Sequence, residues 1–225
     1  PPVDFEAAAV RDKKSEVLQA IPAVQPLPAV HGQYRAGVVN GKAVAAYRNE
    51  PDVSPTSDVE TYIALRLEID NWRWAGVPFY VRTGKRMSHR TTEIAICFKP
   101  APHAAFTSTP VEALAPNWLV LRVAPDEGIS LQFEVKKRGP AMDLAPVKMD
   151  FHYNDWFPTE LNVGYETLIH DVMTGDQTLF MRADMVAETW RIVQAVLDAW
   201  AKDTTDPSGY RAGDNGPAAA DDLIA

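Results

Sequence analysis

The sequence predicts an α+β fold: a large, mainly antiparallel β-sheet with helices packed on one face. The central region alternates apolar and polar side chains with a period of two, and turn residues interrupt it about every eight to twelve positions. Helical spacing appears only towards the two ends of the chain, and no helix-length segment separates the strand-like runs. This pattern argues against parallel βαβ units. The 225 residues suffice for one large domain, which we take to span residues 1–225.

The first helix is expected over residues 4–20, with Asp4 as its N-cap. Its apolar positions fall near one stripe, formed by Phe5, Ala8, Ala9, Val17 and Leu18. The dipeptide Asn40-Gly41 predicts a hairpin within residues 31–47, because both residues tolerate the positive φ that a two-residue hairpin turn requires.

The strand-like runs of the centre are Tyr62–Ile69, Val77–Val81, Glu93–Phe98, Trp118–Val123, Ile129–Val135 and Val147–Tyr153. Two helices follow, one over Tyr165–Val172 and one over residues 185–200 with Asp184 as its N-cap. The tail from Asp203 is rich in Asp, Gly, Ala and Pro, and we expect it to be loosely held.

Composition limits the partners. The formal net charge is -8, which argues against general binding to nucleic acid or to an anionic membrane. No apolar run is long enough to cross a bilayer. A single cysteine, Cys97, cannot form an internal disulfide, so we expect a reducing, cytoplasmic location.

A complete catalytic site is not visible in the sequence. There is no G-x-G-x-x-G for a dinucleotide, no G-x-x-x-x-G-K-[ST] for a nucleotide phosphate and no serine in a nucleophile elbow. The one cysteine and five histidines lack the spacing of metal ligands. We therefore predict no catalytic, cofactor-binding or metal-binding residue in this chain.

One cationic cluster stands out in this acidic sequence. Arg82, Lys85, Arg86 and Arg90 lie within nine positions that contain no acidic residue, and Gly84 allows a backbone bend through which the cations converge. A compact ammonium beside a planar guanidinium suits a phosphate dianion. The alternative is a solvated charged loop, and these residues alone leave both interpretations open.

Residues 70–86 read DNWRWAGVPFYVRTGKR, and this segment resembles the signature of the glucose-6-phosphate dehydrogenase C-terminal domain. The similarity continues in order along the chain, through NWLVLR at 117–122, PDEG at 125–128 and YRAG at 210–213 followed by Gly216-Pro217. The resemblance implies an enzyme that oxidises glucose 6-phosphate to its lactone with NADP or NAD in the pentose phosphate pathway. It further implies that Lys85 and Arg90 bind the substrate phosphate.

The same resemblance implies a preceding dinucleotide-binding domain, absent from this chain, that carries a histidine general base. We therefore expect this chain alone to be inactive and to assemble as a homodimer or tetramer through its sheet. Apolar candidates for that interface are Trp118, Val120, Phe133 and Val135. The alternative is a non-catalytic dimerising or regulatory module derived from the same domain.

Three positions depart from patterns found in some family members. Ala124 stands where some members have a substrate-binding glutamine, and Thr91 and Ala95 stand where others have cations for a second, structural NADP. These residues argue against that second nucleotide site, although Arg82, Arg122 and Arg182 remain as cations.

Overall fold

The computed structural model describes residues 1–23, 28–100, 114–141, 143–157, 164–203 and 205–224. The chain divides into two compact units. The first unit comprises Pro1–His89 and Gly164–Ala225, and the second comprises Arg90–Val163. Their strands are mainly antiparallel, and the chain also contains helices outside the sheets. The predicted α+β class is therefore confirmed.

The helices are α1 (Ala7–Gln19), α2 (Tyr153–Trp156), α3 (Tyr165–Thr174), α4 (Ala183–Trp200) and α5 (Ala218–Ile224), with a short 3-10 helix at Tyr47–Asn49. The strands are β1 (Ala29–Arg35), β2 (Gly37–Val39), β3 (Lys42–Val44), β4 (Tyr62–Leu67), β5 (Phe79–Gly84), β6 (Thr92–Cys97), β7 (Trp118–Ala124), β8 (Gly128–Lys136), β9 (Leu144–His152) and β10 (Ser208–Arg211). None of these described helices combines the length and hydropathy needed to cross a membrane.

The first unit contains a four-stranded sheet in the order β10-β1-β4-β5, in which β10 runs parallel to β1 and the other pairs are antiparallel. Strands β2 and β3 form the predicted hairpin. Its turn residues Asn40 and Gly41 have φ of 50° and 75°, as the sequence predicted for a turn with two left-handed residues.

The second unit contains an antiparallel sheet in the order β6-β7-β8-β9. The six central strand-like runs are therefore shared between two sheets, because β5 pairs with β4, and β4 pairs on its other side with β1. Alternation shows which residues share a face of a strand, but it does not specify which strands pair.

The core of the first unit is built around buried tyrosines. Tyr34, Tyr62 and Tyr210 cluster with Ala64, Ala212 and Ala220, and Tyr62 and Tyr210 are 1% and 4% exposed. A second cluster joins α1 to α4 through Ile21, Ile69 and Ile192, with Trp74 and Phe79 packed against it. Strand β5 lies beside the tyrosine cluster, because its last residue, Gly84, is in register with Tyr62.

Both predicted N-caps are wrong. Helix α1 begins after Glu6, and the Asp4 carboxylate accepts a hydrogen bond from the Glu6 backbone N–H instead. Helix α4 has Arg182 at its N-cap, so Asp184 lies inside the first turn, where its carboxylate accepts from the Arg182 guanidinium at 2.7 Å and from the Ser15 hydroxyl at 3.0 Å. These contacts, led by Arg182, hold the pKa of Asp184 well below its usual range.

The expectation of a loosely held tail is also wrong. Residues 208–211 form a strand of the first unit's sheet, and Ala212 and Ala220 are each only 1% exposed. The small residues serve close packing rather than flexibility. A Cβ at Gly37 would lie 2.1 Å from the Ala212 carbonyl oxygen, and a Cβ at Gly213 would lie 2.3 Å from the Val38 carbonyl oxygen.

Candidate phosphate site

The cationic segment begins where β5 ends. Gly84 is in register with Tyr62 of β4, and the pairing extends one residue further because the Lys85 N–H donates to the Thr61 carbonyl oxygen at 2.8 Å. The Lys85 carbonyl oxygen accepts a hydrogen bond from the Tyr210 hydroxyl at 2.7 Å. Both backbone polar groups of Lys85 are therefore held by the first unit.

The side chain of Lys85 projects from this anchored backbone. It is exposed, and it makes no ion pair or hydrogen bond with any residue that the structure describes. An unpaired ammonium on a fixed backbone is well suited to a phosphate, because the protein offers it no competing carboxylate.

Arg86 has a different role from Lys85. Its Nη2 lies 3.4 Å from Oε1 of Glu50, and the Tyr34 hydroxyl donates to the same oxygen at 3.1 Å. Contact with the Tyr34 hydroxyl, followed by the charge of Glu50, raises the pKa of Arg86. Within the predicted cluster, this guanidinium is thus engaged by the protein itself.

Gly84 is needed for packing and not for the bend that the sequence suggested. The left-handed backbone lies two residues later, at Arg86, whose φ is 53°. A Cβ on Gly84 would lie 2.6 Å from Cδ2 of Tyr62 and 2.7 Å from Sδ of Met87. The strand can therefore approach the tyrosine cluster only if residue 84 has no side chain.

The other two cations of the cluster precede and follow Lys85 and Arg86 in the sequence. Arg82 is exposed on β5, and its charge opposes the effect of burial, which raises the pKa of the Tyr62 hydroxyl. Arg90 is exposed and unpaired among the described residues, and it is the first residue of the second unit. The joint action of Lys85 and Arg90 on one phosphate remains a prediction.

The residues that sequence reasoning missed come from the C-terminal segment, Tyr210–Asn215. Besides the Tyr210 hydroxyl, the Gly213 N–H donates to the Arg86 carbonyl oxygen at 2.8 Å, and the Ser88 N–H donates to the Asp214 carbonyl oxygen at 3.1 Å. The Ser88 hydroxyl also contacts Asn215. The signal was present in the YRAG and Gly216-Pro217 matches, but composition alone suggested a loose tail.

Two further cations singled out in the sequence are already occupied. Arg122 donates to the Ser130 hydroxyl at 2.7 Å, and Arg182 pairs with Asp12 and Asp184. Asp150 lies 3.0 Å from Nζ of Lys148, and its pKa is lowered to about 2, chiefly by the Ser130 hydroxyl and then by Lys148. The contacts of Arg122 with Ser130, and of Arg182 with Asp12 and Asp184, leave both guanidinium groups less available to a second nucleotide.

Similarity to known proteins establishes the family of this chain. The family model "Glucose-6-phosphate dehydrogenase, C-terminal domain" matches residues 1–225. The chain belongs to this family. A curated relative, glucose-6-phosphate 1-dehydrogenase of Aggregatibacter actinomycetemcomitans, is 46% identical over 229 residues, which cover 100% of this chain and 45% of the relative. The Bacillus subtilis enzyme of the same name is 40% identical, with 100% and 46% covered.

Solved structures of the family have the same fold. Glucose-6-phosphate 1-dehydrogenase from Mycobacterium avium superposes with a TM-score of 0.79 at 38% identity, covering 100% of this chain and 44% of that one. A glucose-6-phosphate dehydrogenase in complex with its substrate glucose-6-phosphate gives 0.85 at 29% identity, covering 100% and 45%. The chain thus spans less than half the length of the relatives it matches.

Neither the sequence nor the part of the chain that the structure describes shows the unit that binds the pyrophosphate of a nicotinamide dinucleotide. The sequence has no glycine-rich turn between a strand and a helix, which is the unit that presents backbone N–H groups to a pyrophosphate. The parallel pairing that the described residues show joins β1 to β10, which are far apart in sequence, and it creates no such turn. What the described residues offer chemically is the exposed and unpaired ammonium of Lys85 on a backbone that is held by hydrogen bonds.

Proposed function

We propose that this chain is the substrate-phosphate-binding and assembly part of a cytoplasmic oxidoreductase. The full-length protein would oxidise D-glucose 6-phosphate to 6-phosphogluconolactone with NADP, or with NAD, in the pentose phosphate pathway. The proposal rests on the state of the Lys85 side chain and backbone. Its ammonium is exposed and unpaired among the described residues, and its backbone is held at both polar groups.

The chain's own contribution would be to bind and orient the sugar. Lys85 would bind the phosphate dianion and Arg90 would assist, which places the reacting end of the sugar at a defined distance from the anchored phosphate. Removal of the hydroxyl proton and transfer of the hydride are assigned to the remainder of the longer protein. The absence of a dinucleotide motif in this sequence supports that division.

The test uses the full-length gene product, assayed for NADP reduction with glucose 6-phosphate. Lys85→Ala should raise KM about ten- to a hundredfold, since a hydrogen bond to a charged group contributes about 1.5–3 kcal/mol. Arg90→Ala should act in the same direction. Lys14→Ala is the matched control, because Lys14 is an exposed lysine of α1 with no ion pair among the described residues.

An unchanged KM for Lys85→Ala would contradict the assignment of Lys85. Absence of turnover by the wild-type product with both NADP and NAD would contradict the proposed dehydrogenase activity. That second result would favour a non-catalytic dimerising or regulatory module.

We also propose that the second unit's sheet forms a homodimer interface, either alone or within a tetramer. Register partners share a face of an antiparallel sheet, and one face is apolar on all four strands. It is formed by Ile94, Ile96, Leu119, Leu121, Ile129, Leu131, Phe133, Val135, Val147, Met149 and Phe151. Ile94 and Met149 are 54% and 63% exposed, so the described residues of the second unit leave part of this face uncovered.

The interface differs from the residues that the sequence suggested. Phe133 and Val135, two positions apart on β8, belong to this face. Trp118 and Val120 lie on the opposite face, because Trp118 is in register with Gln132. Ile96→Lys should convert the dimer to a monomer in sedimentation at micromolar concentration. Val38→Lys, which changes an exposed valine of the first unit's hairpin, should leave it dimeric. A monomeric wild-type protein would contradict the proposal.

A further inference from the structure

Tyr210 lies directly beneath the residue proposed to bind phosphate. Its hydroxyl is 2.7 Å from the Lys85 carbonyl oxygen, although the two residues are 125 positions apart in sequence. The Thr61 carbonyl oxygen lies at 3.1 Å from the same hydroxyl. A phenol has one proton to donate, and the shorter distance assigns that proton to Lys85.

The donor is reliable because Tyr210 is buried. Only 4% of it is exposed, and burial raises the pKa of its hydroxyl, which therefore stays protonated wherever the protein is folded at neutral pH. Its ring packs against Tyr62 and Tyr34, with centroid separations of 5.6 Å and 6.4 Å. The position of the hydroxyl is thus set by the core and not by the loop that it contacts.

The peptide that Tyr210 holds is the one that precedes a strained residue. Arg86 has φ of 53°, a conformation that disfavours an L side chain by about 1–2 kcal/mol. The hydrogen bond from Tyr210 fixes the carbonyl on one side of this residue, and the Gly213 N–H fixes the carbonyl on the other. Without the first of these contacts, the Lys85–Arg86 peptide can rotate and relieve the strain, which would redirect Lys85.

We infer that the C-terminal segment Tyr210–Asn215 positions Lys85 for the substrate phosphate, and that the Tyr210 hydroxyl has the principal effect. The inference rests on the proposed function of Lys85. Tyr210 is a positioning residue: it touches neither the phosphate nor the reacting atoms, and it acts by fixing the backbone from which the ammonium extends. Specificity for a phosphorylated sugar is therefore built partly on a residue at the far end of the chain.

The principal variant is Tyr210→Phe in the full-length protein, which retains the ring in the core and removes only the hydroxyl. KM for glucose 6-phosphate should rise about fivefold, as expected when a backbone carbonyl loses its hydrogen bond, and kcat should stay within about twofold. Turnover of unphosphorylated glucose should be unchanged. A general disturbance of the fold would instead lower kcat/KM for both sugars, and that result would overturn the inference.

The matched control is Tyr62→Phe. Tyr62 belongs to the same cluster and is 1% exposed, and its hydroxyl interacts with the Arg82 side chain and makes no hydrogen bond to the Lys85 backbone. Removal of this hydroxyl should leave KM unchanged. In a Lys85→Ala background, Tyr210→Phe should have no further effect on KM, because the group that it positions is absent. Equal effects of Tyr210→Phe in both backgrounds would refute the coupling.

The outcomes distinguish failure of the positioning role of Tyr210 from failure of the proposed role of Lys85. If Lys85→Ala leaves KM unchanged, the proposed function of Lys85 fails. If Lys85→Ala raises KM and Tyr210→Phe does not, only the positioning role fails. Should Tyr210→Phe not fold, Asn215→Ala decides, since Asn215 is exposed and contacts Ser88 in the same loop. It should raise KM for the phosphorylated sugar about twofold, and an unchanged KM would overturn the inference.

Discussion

Substitution of Gly216 should reveal how tightly the C-terminal segment is packed against the tyrosine core. Gly216 has φ of 115°, a backbone conformation that L residues rarely adopt. A Cβ at this position would lie 2.4 Å from Cε2 and 2.6 Å from Cζ of Tyr62. Tyr62 is 1% exposed, and its ring cannot move away without displacing Tyr210.

The expected cost of Gly216→Ala has two parts. Backbone strain contributes roughly 1–2 kcal/mol, and overpacking of the buried ring contributes roughly 1–3 kcal/mol. The free energy of unfolding should therefore fall by about 2–5 kcal/mol. Gly76→Ala isolates the first part, because Gly76 has φ of 73° and a Cβ there would meet nothing within 4 Å.

Urea unfolding followed by circular dichroism can measure both variants. Since the denaturant slope is about 1–3 kcal/mol per molar, a difference of about 2 kcal/mol should separate the two midpoints by about 1 M. Gly216→Ala/Tyr62→Leu should recover part of the loss by removing the ring that the new methyl group meets. Equal costs for Gly216→Ala and Gly76→Ala would refute the argument that Tyr62 limits residue 216.

Three other outcomes are expected. The 225-residue chain alone should reduce neither NADP nor NAD with glucose 6-phosphate, and turnover that persists through purification would contradict the division of labour proposed above. Because the pKa of Asp150 is lowered to about 2 by the Ser130 hydroxyl and Lys148, its stabilising contribution is present above pH 4 and is lost as the pH falls towards 2. Asp150→Asn should remove that part of the acid sensitivity, and an unaltered acid-unfolding profile would show that these contacts do not matter. Deletion of residues 208–225 removes Tyr210 and Ala220 from the core, so cooperative unfolding of the first unit should disappear. If cooperative unfolding persists, the core of the first unit forms without this segment.

Local pattern alone was sufficient for several elements. The Asn40-Gly41 hairpin follows from a turn that only a few residue types tolerate, and the strands β4 to β9 follow from alternation within each run. The cationic segment was also visible, since Lys85 and Arg90 are close in sequence. These features depend on neighbouring residues, and neighbouring residues are what a sequence displays directly.

Tertiary structure decided which of those residues are available for function. In the sequence, Arg86 and Lys85 are equivalent cations, but Glu50 engages Arg86 and leaves Lys85 unpaired among the described residues. Gly84 suggested a bend, whereas its function is to admit the ring of Tyr62. The alanine- and glycine-rich tail suggested flexibility, yet its small residues let β10 join the sheet and bring Tyr210 against Lys85. Contacts between residues more than a hundred positions apart depend on packing, and a small residue has the same appearance in sequence whether it permits close approach or free motion.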